Sequence, residues 1–176
     1  IHADGREGLH GWWQKTFAVT AGKHYRFSAW RKTESIAVPR RSVLARVLWR
    51  DEAGKEVPRR EGVLTNFAKG VVASAEPEYP RESGASNAQW VEMSGVYEAP
   101  PGATQARVEL HLLWAPSGSV QWSDAAFSPT EPPAPRKVRL ATVHYQPKQG
   151  KTGMDSCRQF APLIAAAARQ KADLVV

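Results

Sequence analysis

The segment Lys23 to Lys32, KHYRFSAWRK, decides the fold class. Tyr25, Phe27 and Ala29 alternate with His24, Arg26 and Ser28, the period-two pattern of a strand with one face buried. Ala21-Gly22 marks a turn before it, and Gly11 to Thr20 (GWWQKTFAVT) supplies a preceding strand. On the other side, Arg41 to Asp51 (RSVLARVLWRD) places Val43, Ala45, Val47 and Trp49 on one face, so Trp49 reads as core. Alternation lapses over residues 55–88, which are rich in Glu, Arg, Pro, Ser and Gly. They read as long loops with one short strand near Gly70 to Ser74. It returns in Gln89 to Glu98, in Thr104 to Trp114, where Ala106, Val108, Leu110, Leu112 and Trp114 share a face, and in Ser119 to Ser128. Strands joined by such turns predict a mostly β chain, an antiparallel sandwich of the jelly-roll kind over residues 1–128.

After Ser128 the pattern changes. Residues 129–136 (PTEPPAPR) form a proline-rich linker, stiff and extended. Lys137 to Tyr145 reads as a strand. Asp155 reads as the N-cap of a helix whose apolar stripe is Cys157, Phe160, Leu163, Ile164, Ala167 and Ala168. Pro162 sits awkwardly inside that helix, where it removes a hydrogen bond. Ala172 to Val176 (ADLVV) closes a strand–helix–strand unit as a buried parallel strand. That unit is too small to bury a core of its own, so residues 137–176 read as the opening of a larger α/β domain.

Charge excludes little but locates something. Residues 1–131 carry 16 Lys and Arg against 15 Asp and Glu, and residues 132–176 carry 8 against 2. The net +7 therefore belongs almost wholly to the last segment, which does not make a basic face on a complete domain. No nucleic-acid partner is expected. No apolar run is long enough for a membrane span. A single Cys157 rules out an internal disulfide in these residues.

Leu140 to Val176 (LATVHYQPKQGKTGMDSCRQFAPLIAAAARQKADLVV) resembles the N-terminus of the carbon–nitrogen hydrolase, or nitrilase, superfamily. The resemblance implies an αββα hydrolase domain, amide or nitrile hydrolysis by a Glu–Lys–Glu–Cys set lying past residue 176, and homo-oligomers formed through that domain. It implies no cofactor, and no catalytic residue among those present here. The β region is similar to galactose-binding-like jelly rolls of carbohydrate-binding modules. That likeness rests on Gly11-Trp12-Trp13-Gln14, on Ala21 to Trp30 and on Val120-Gln121-Trp122-Ser123-Asp124, with the usual first strand expected upstream of Ile1. A secreted or periplasmic parent suits that pairing. The alternative is a non-catalytic carbohydrate-binding module, and a third reading is a structural β domain making oligomer contacts.

Site candidates follow from these readings. Trp12, Trp13, Trp30, Trp90, Trp114 and Trp122 offer aromatic planes for sugar C–H faces, against the common use of tryptophan as packing. Trp30 lies on the polar face of its strand with His24 and Arg26, and these three form the expected ligand-binding set. Cys157 reads as a buried structural thiol, and Arg40-Arg41 and Arg59-Arg60 as solvated basic pairs. Asp51, Glu52, Glu76 and Glu78 are loop acids of the type calcium uses, although that ion needs six or more oxygens in register. His10, His24, His111 and His144 have no metal-ligand spacing, and no metal is expected.

Overall fold

Burial follows the alternation along the strands. A computed structural model describes residues 1–59 and 73–176, and the chain divides into two units, Ile1–Pro133 and Ala134–Val176. In the first unit β1 (His10–Ala18), β2 (His24–Glu34), β3 (Val43–Arg50), β4 (Arg81–Asn87), β5 (Trp90–Glu98), β6 (Gln105–Leu113) and β7 (Ser119–Thr130) build two antiparallel sheets. One runs β1-β6-β3 and the other β4-β5-β2-β7. Tyr25, Phe27, Ala29, Met93 and Phe127 from the second sheet meet Ala45, Val47, Trp49, Ala106, Val108 and Leu110 from the first in one core. Tyr25 stacks on Phe127 with ring centres 5.3 Å apart. Each large apolar side chain buried here contributes about 1.5–3 kcal/mol. The mostly β, antiparallel sandwich expected from the sequence is therefore present.

Trp49 is core, as its alternation implies. Trp114 is not: β6 ends at Leu113, Trp114 takes a left-handed backbone (φ 52°), and its ring is exposed. The alternating pattern ran one residue too far because strand pairing stops there, where the Trp114 amide donates to the Leu9 carbonyl at 2.8 Å. One turn of helix, α1 (Pro39–Ser42), precedes β3. The expected strand near Gly70 to Ser74 lies mainly outside the described residues, but Ser74 forms an isolated antiparallel bridge with Pro58. β4 falls in the stretch read as loop. β7 continues to Thr130, into the start of the proline-rich stretch.

A second apolar cluster, Ala3, Val43, Leu112, Ala115 and Val120, carries Ile1, Leu9, Ile36 and Trp122 against it. Arg31 faces inward on β2, buried. It donates to the Val43 carbonyl at 2.6 Å and pairs with Glu82. Glu82 thus gives the polar edge strand β4 a tie into the interior.

In the second unit β8 (Leu140–Ala141) and β9 (Leu174–Val175) pair in parallel, joined through α2 (Gly153–Arg169). The strand–helix–strand order holds, but both strands are shorter than expected, two residues each, and the ADLVV segment is not buried: Leu174 and the adjoining Val176 are exposed, as is Leu140. The N-cap is Thr152, not Asp155: Thr152 Oγ1 accepts from the Asp155 amide, and the Thr152 amide donates to the Asp155 carboxylate at 3.1 Å. Pro162 lies within a continuous helix. Cys157 is exposed rather than buried, and Ile164 and Ala168 are exposed too. The packed side keeps Phe160, Leu163 and Ala167 from the expected stripe and leaves its other three members in solvent. Gln159 bridges the preceding loop, accepting from Tyr145 Oη at 2.8 Å and the Lys148 amide at 3.0 Å, and donating to the Lys148 carbonyl at 3.0 Å.

Candidate functional site

β6 is the middle strand of the three-stranded sheet, so its outward side chains are flanked by β1 and β3. Opposite Glu109 lie Gln14 and Arg46, and opposite His111 lie Trp12 and Leu44. Glu109 and His111 point away from the sandwich core yet are almost wholly buried, at 2% and 0% exposure, because these cross-strand neighbours close over them. The Glu109 carboxylate accepts from Arg46 Nη2 at 2.7 Å and Arg46 Nε at 3.1 Å. Arg107 Nε lies 3.0 Å from its other oxygen as an ion pair, with the N–H not aimed along the contact.

Protonation of the histidines follows from these partners. An ionised carboxylate only accepts, so His111 Nε2–H donates to Glu109 Oε2 at 3.0 Å. Arg46 Nε is 3.1 Å from that same imidazole nitrogen, and its single N–H goes to the carboxylate. His111 Nδ1 then accepts from His10 Nε2–H at 2.7 Å. Burial, with Arg46 nearby, pushes the His111 pKa down to about 4, which keeps it neutral near pH 7. Burial also raises the Glu109 carboxyl, but the Arg46 bonds and charge outweigh it and leave the group below its ordinary value.

The hydrogen-bond chain ends at His10, and a surface aromatic packs on both imidazoles. Trp12 stacks on His111 at 5.5 Å, lies 5.1 Å from His10, and donates from Nε1 to Gln14 Oε1 at 3.3 Å. Its ring is thereby held in one orientation while 46% of it stays exposed. Chemically this is an anchored aromatic plane. No Ser, Thr or Cys among the described residues bonds either imidazole, so no nucleophile–base pair forms here. Sequence reading named Trp12 in its group of tryptophans but passed over Glu109, Arg46 and the His10–His111 pair. The signal was the outward set Arg107, Glu109, His111 opposite Trp12 and Gln14.

The expected ligand set sits on the opposite sheet. His24, Arg26 and Trp30 all face outward on β2, each half-buried or exposed. His24 lies 3.9 Å from Glu98 and Arg26 3.5 Å from Glu92, the residue across from Trp30. At about 3.3 Å per residue, six positions separate His24 from Trp30 by about 20 Å. The three make a strip along the strand rather than converging on one point. Of the loop acids, Asp51 accepts from the Lys55 amide at 2.8 Å and Glu76 pairs with Arg59 at 2.9 Å. No three His, Cys, Asp or Glu side chains gather as a metal site among the described residues. Arg60 lies outside those residues. No described helix is long and apolar enough to cross a membrane.

No protein-family model matches the chain, and no curated protein does. In fold it is similar to the crystal structure of the enzymatically active domain of tailspike protein 4 from bacteriophage CBA120, with a TM-score of 0.50 and 15% identity. The match covers 73% of this chain and 15% of the tailspike chain. At that identity the likeness is one of fold.

Proposed function

We propose that the chain joins a β-sandwich accessory module to the opening strand–helix–strand of a carbon–nitrogen hydrolase domain. The observation that carries this reading is the parallel pairing of Leu140–Ala141 with Leu174–Val175 through α2, since the second strand is the ADLVV segment on which the family resemblance rests. The reaction implied is attack of a cysteine thiolate on an amide or nitrile carbon, with lysine holding the developing negative charge and glutamate moving the proton. Those groups lie past Val176. Cys157 is not the nucleophile in this reading, being exposed on α2 with no base bonded to it among the described residues. The purified 176 residues should turn over neither simple amides nor nitriles. Turnover abolished by Cys157→Ser would overturn the proposal and make that thiol catalytic.

A second reading, carbohydrate recognition by the sandwich, is favoured by the anchored, half-exposed ring of Trp12 and by the outward strip His24, Arg26 and Trp30. Loss of one stacking partner costs about 1–3 kcal/mol by analogy with base–aromatic stacking. Trp12→Ala and Trp30→Ala therefore separate the two faces on a glycan array. Binding unchanged in both variants removes both faces from the reading.

A further inference from the structure

One end of the sandwich carries a cavity that neither face explains. It measures about 420 Å³ and is lined by Ile36, Val38, Arg41, Ser42, Trp114 and Pro116, with Ser35, Ala37 and Ala115 completing it. This volume falls within the ordinary range of small-ligand sites. Its floor is anchored, because Ile36 and Ala115 belong to or pack on the second apolar cluster. The floor is also tight. A Cβ on Gly118 would stand 2.9 Å from Ile36 Cγ1 and 3.0 Å from the Ala115 Cβ, so only glycine lets the two loops approach this closely.

Three side-chain-bearing residues of these loops hold left-handed backbones: Ser35 (φ 57°), Trp114 (φ 52°) and Ser117 (φ 58°). For an exposed tryptophan that conformation is costly, and burial of the side chain offsets little of it, since the residue is 66% exposed and its bond to the Leu9 carbonyl uses only the backbone amide. A glycine at position 114 would fold more easily. The indole is thus displayed at the cavity mouth at the expense of stability, which is the signature of a residue kept for contact.

Charge narrows what the contact is. Among the described residues no Asp or Glu lines the cavity, and Arg41 forms no ion pair. Glu34, adjacent to Ser35 in the chain, is turned to Lys32 at 3.5 Å. An unpaired guanidinium, two serine hydroxyls and an exposed indole suit a ligand with an apolar face, hydroxyls and a carboxylate. We propose that this cavity binds an acidic saccharide, with the sugar ring on Trp114 and its uronate carboxylate on Arg41. The inference rests on the carbohydrate reading of the sandwich and names a site and ligand class for it.

The test is titration calorimetry of the whole chain with oligogalacturonate and with a neutral hexose oligomer of equal length. The wild-type chain should prefer the acidic oligomer. Trp114→Gly should weaken binding by about 10- to 100-fold while raising the melting temperature, because the left-handed strain is relieved. Arg41→Gln should abolish the preference for the acidic oligomer and leave the melting temperature unchanged. A Trp114→Gly chain that is more stable and binds as well as wild type would overturn this site, as would acid preference surviving Arg41→Gln. Binding of the neutral oligomer alone would overturn the site and leave the carbohydrate reading standing. Absence of binding to either oligomer, or to any glycan on an array, would overturn both.

Discussion

Glu109 and His111 occupy outward positions on β6, where an alternating pattern assigns solvent, and yet both are sealed. A one-dimensional pattern cannot register this, because the covering atoms come from Trp12 and Arg46 on the flanking strands. The consequence is a pH response of definite sign. Between pH 6.5 and about 4 the unfolded chain takes up a proton at His111 that the folded chain refuses. His111 therefore contributes stability above pH 6.5 that is lost as the pH falls through this window, on the order of 3 kcal/mol at the acid end. Glu109 acts in the same direction lower down, since its folded carboxyl titrates below the unfolded one. Denaturant melts at pH 7 and pH 5 should show a drop that His111→Asn largely removes. An equal drop in that variant would place the titrating group elsewhere. At other single residues the sequence was sufficient: Tyr25, Phe27, Ala29, Val43, Ala45, Val47 and Trp49 are all buried as their alternation implies.

Among elements, those with an apolar face were legible and those without were not. β4, RESGASN, is exposed along its whole length and, among the described residues, pairs only with β5. It is a strand by virtue of its ladder and of Glu82 reaching the buried Arg31, neither of which leaves a mark on local composition. α2 was legible as a helix, but its start and the width of its packed stripe were not. The capping box moves the start to Thr152, and the packed stripe narrows to Phe160, Leu163 and Ala167, leaving Cys157, Ile164 and Ala168 exposed. Thr152→Ala should cost this helix about 1 kcal/mol. Amide exchange at Asp155 and Ser156 should then be roughly fivefold faster, with the last turn unaffected. Unchanged exchange in the first turn would show that the cap contributes nothing.

At the scale of the whole molecule the chain carries two kinds of structure: an antiparallel sandwich up to Pro133 and a parallel strand–helix–strand from Ala134 onward. The boundary falls within residues 129–136, where four prolines separate period-two alternation from a helical stripe. The outward network on β6 and the cavity beside Trp114 were illegible by comparison, since each is assembled from strands and loops distant in the chain. In α/β folds the functional groups cluster just past the carboxyl ends of parallel strands. β9 is such a strand, and the hydrolase reading requires a general base immediately after it, fixed and partly desolvated so that its pKa serves proton transfer. Sequencing the parent gene across the codon for Val176 tests this most directly. The account predicts a Pro-Glu pair within the next few residues, followed by a lysine and later a cysteine. A stop codon, or a continuation lacking that glutamate, would contradict it.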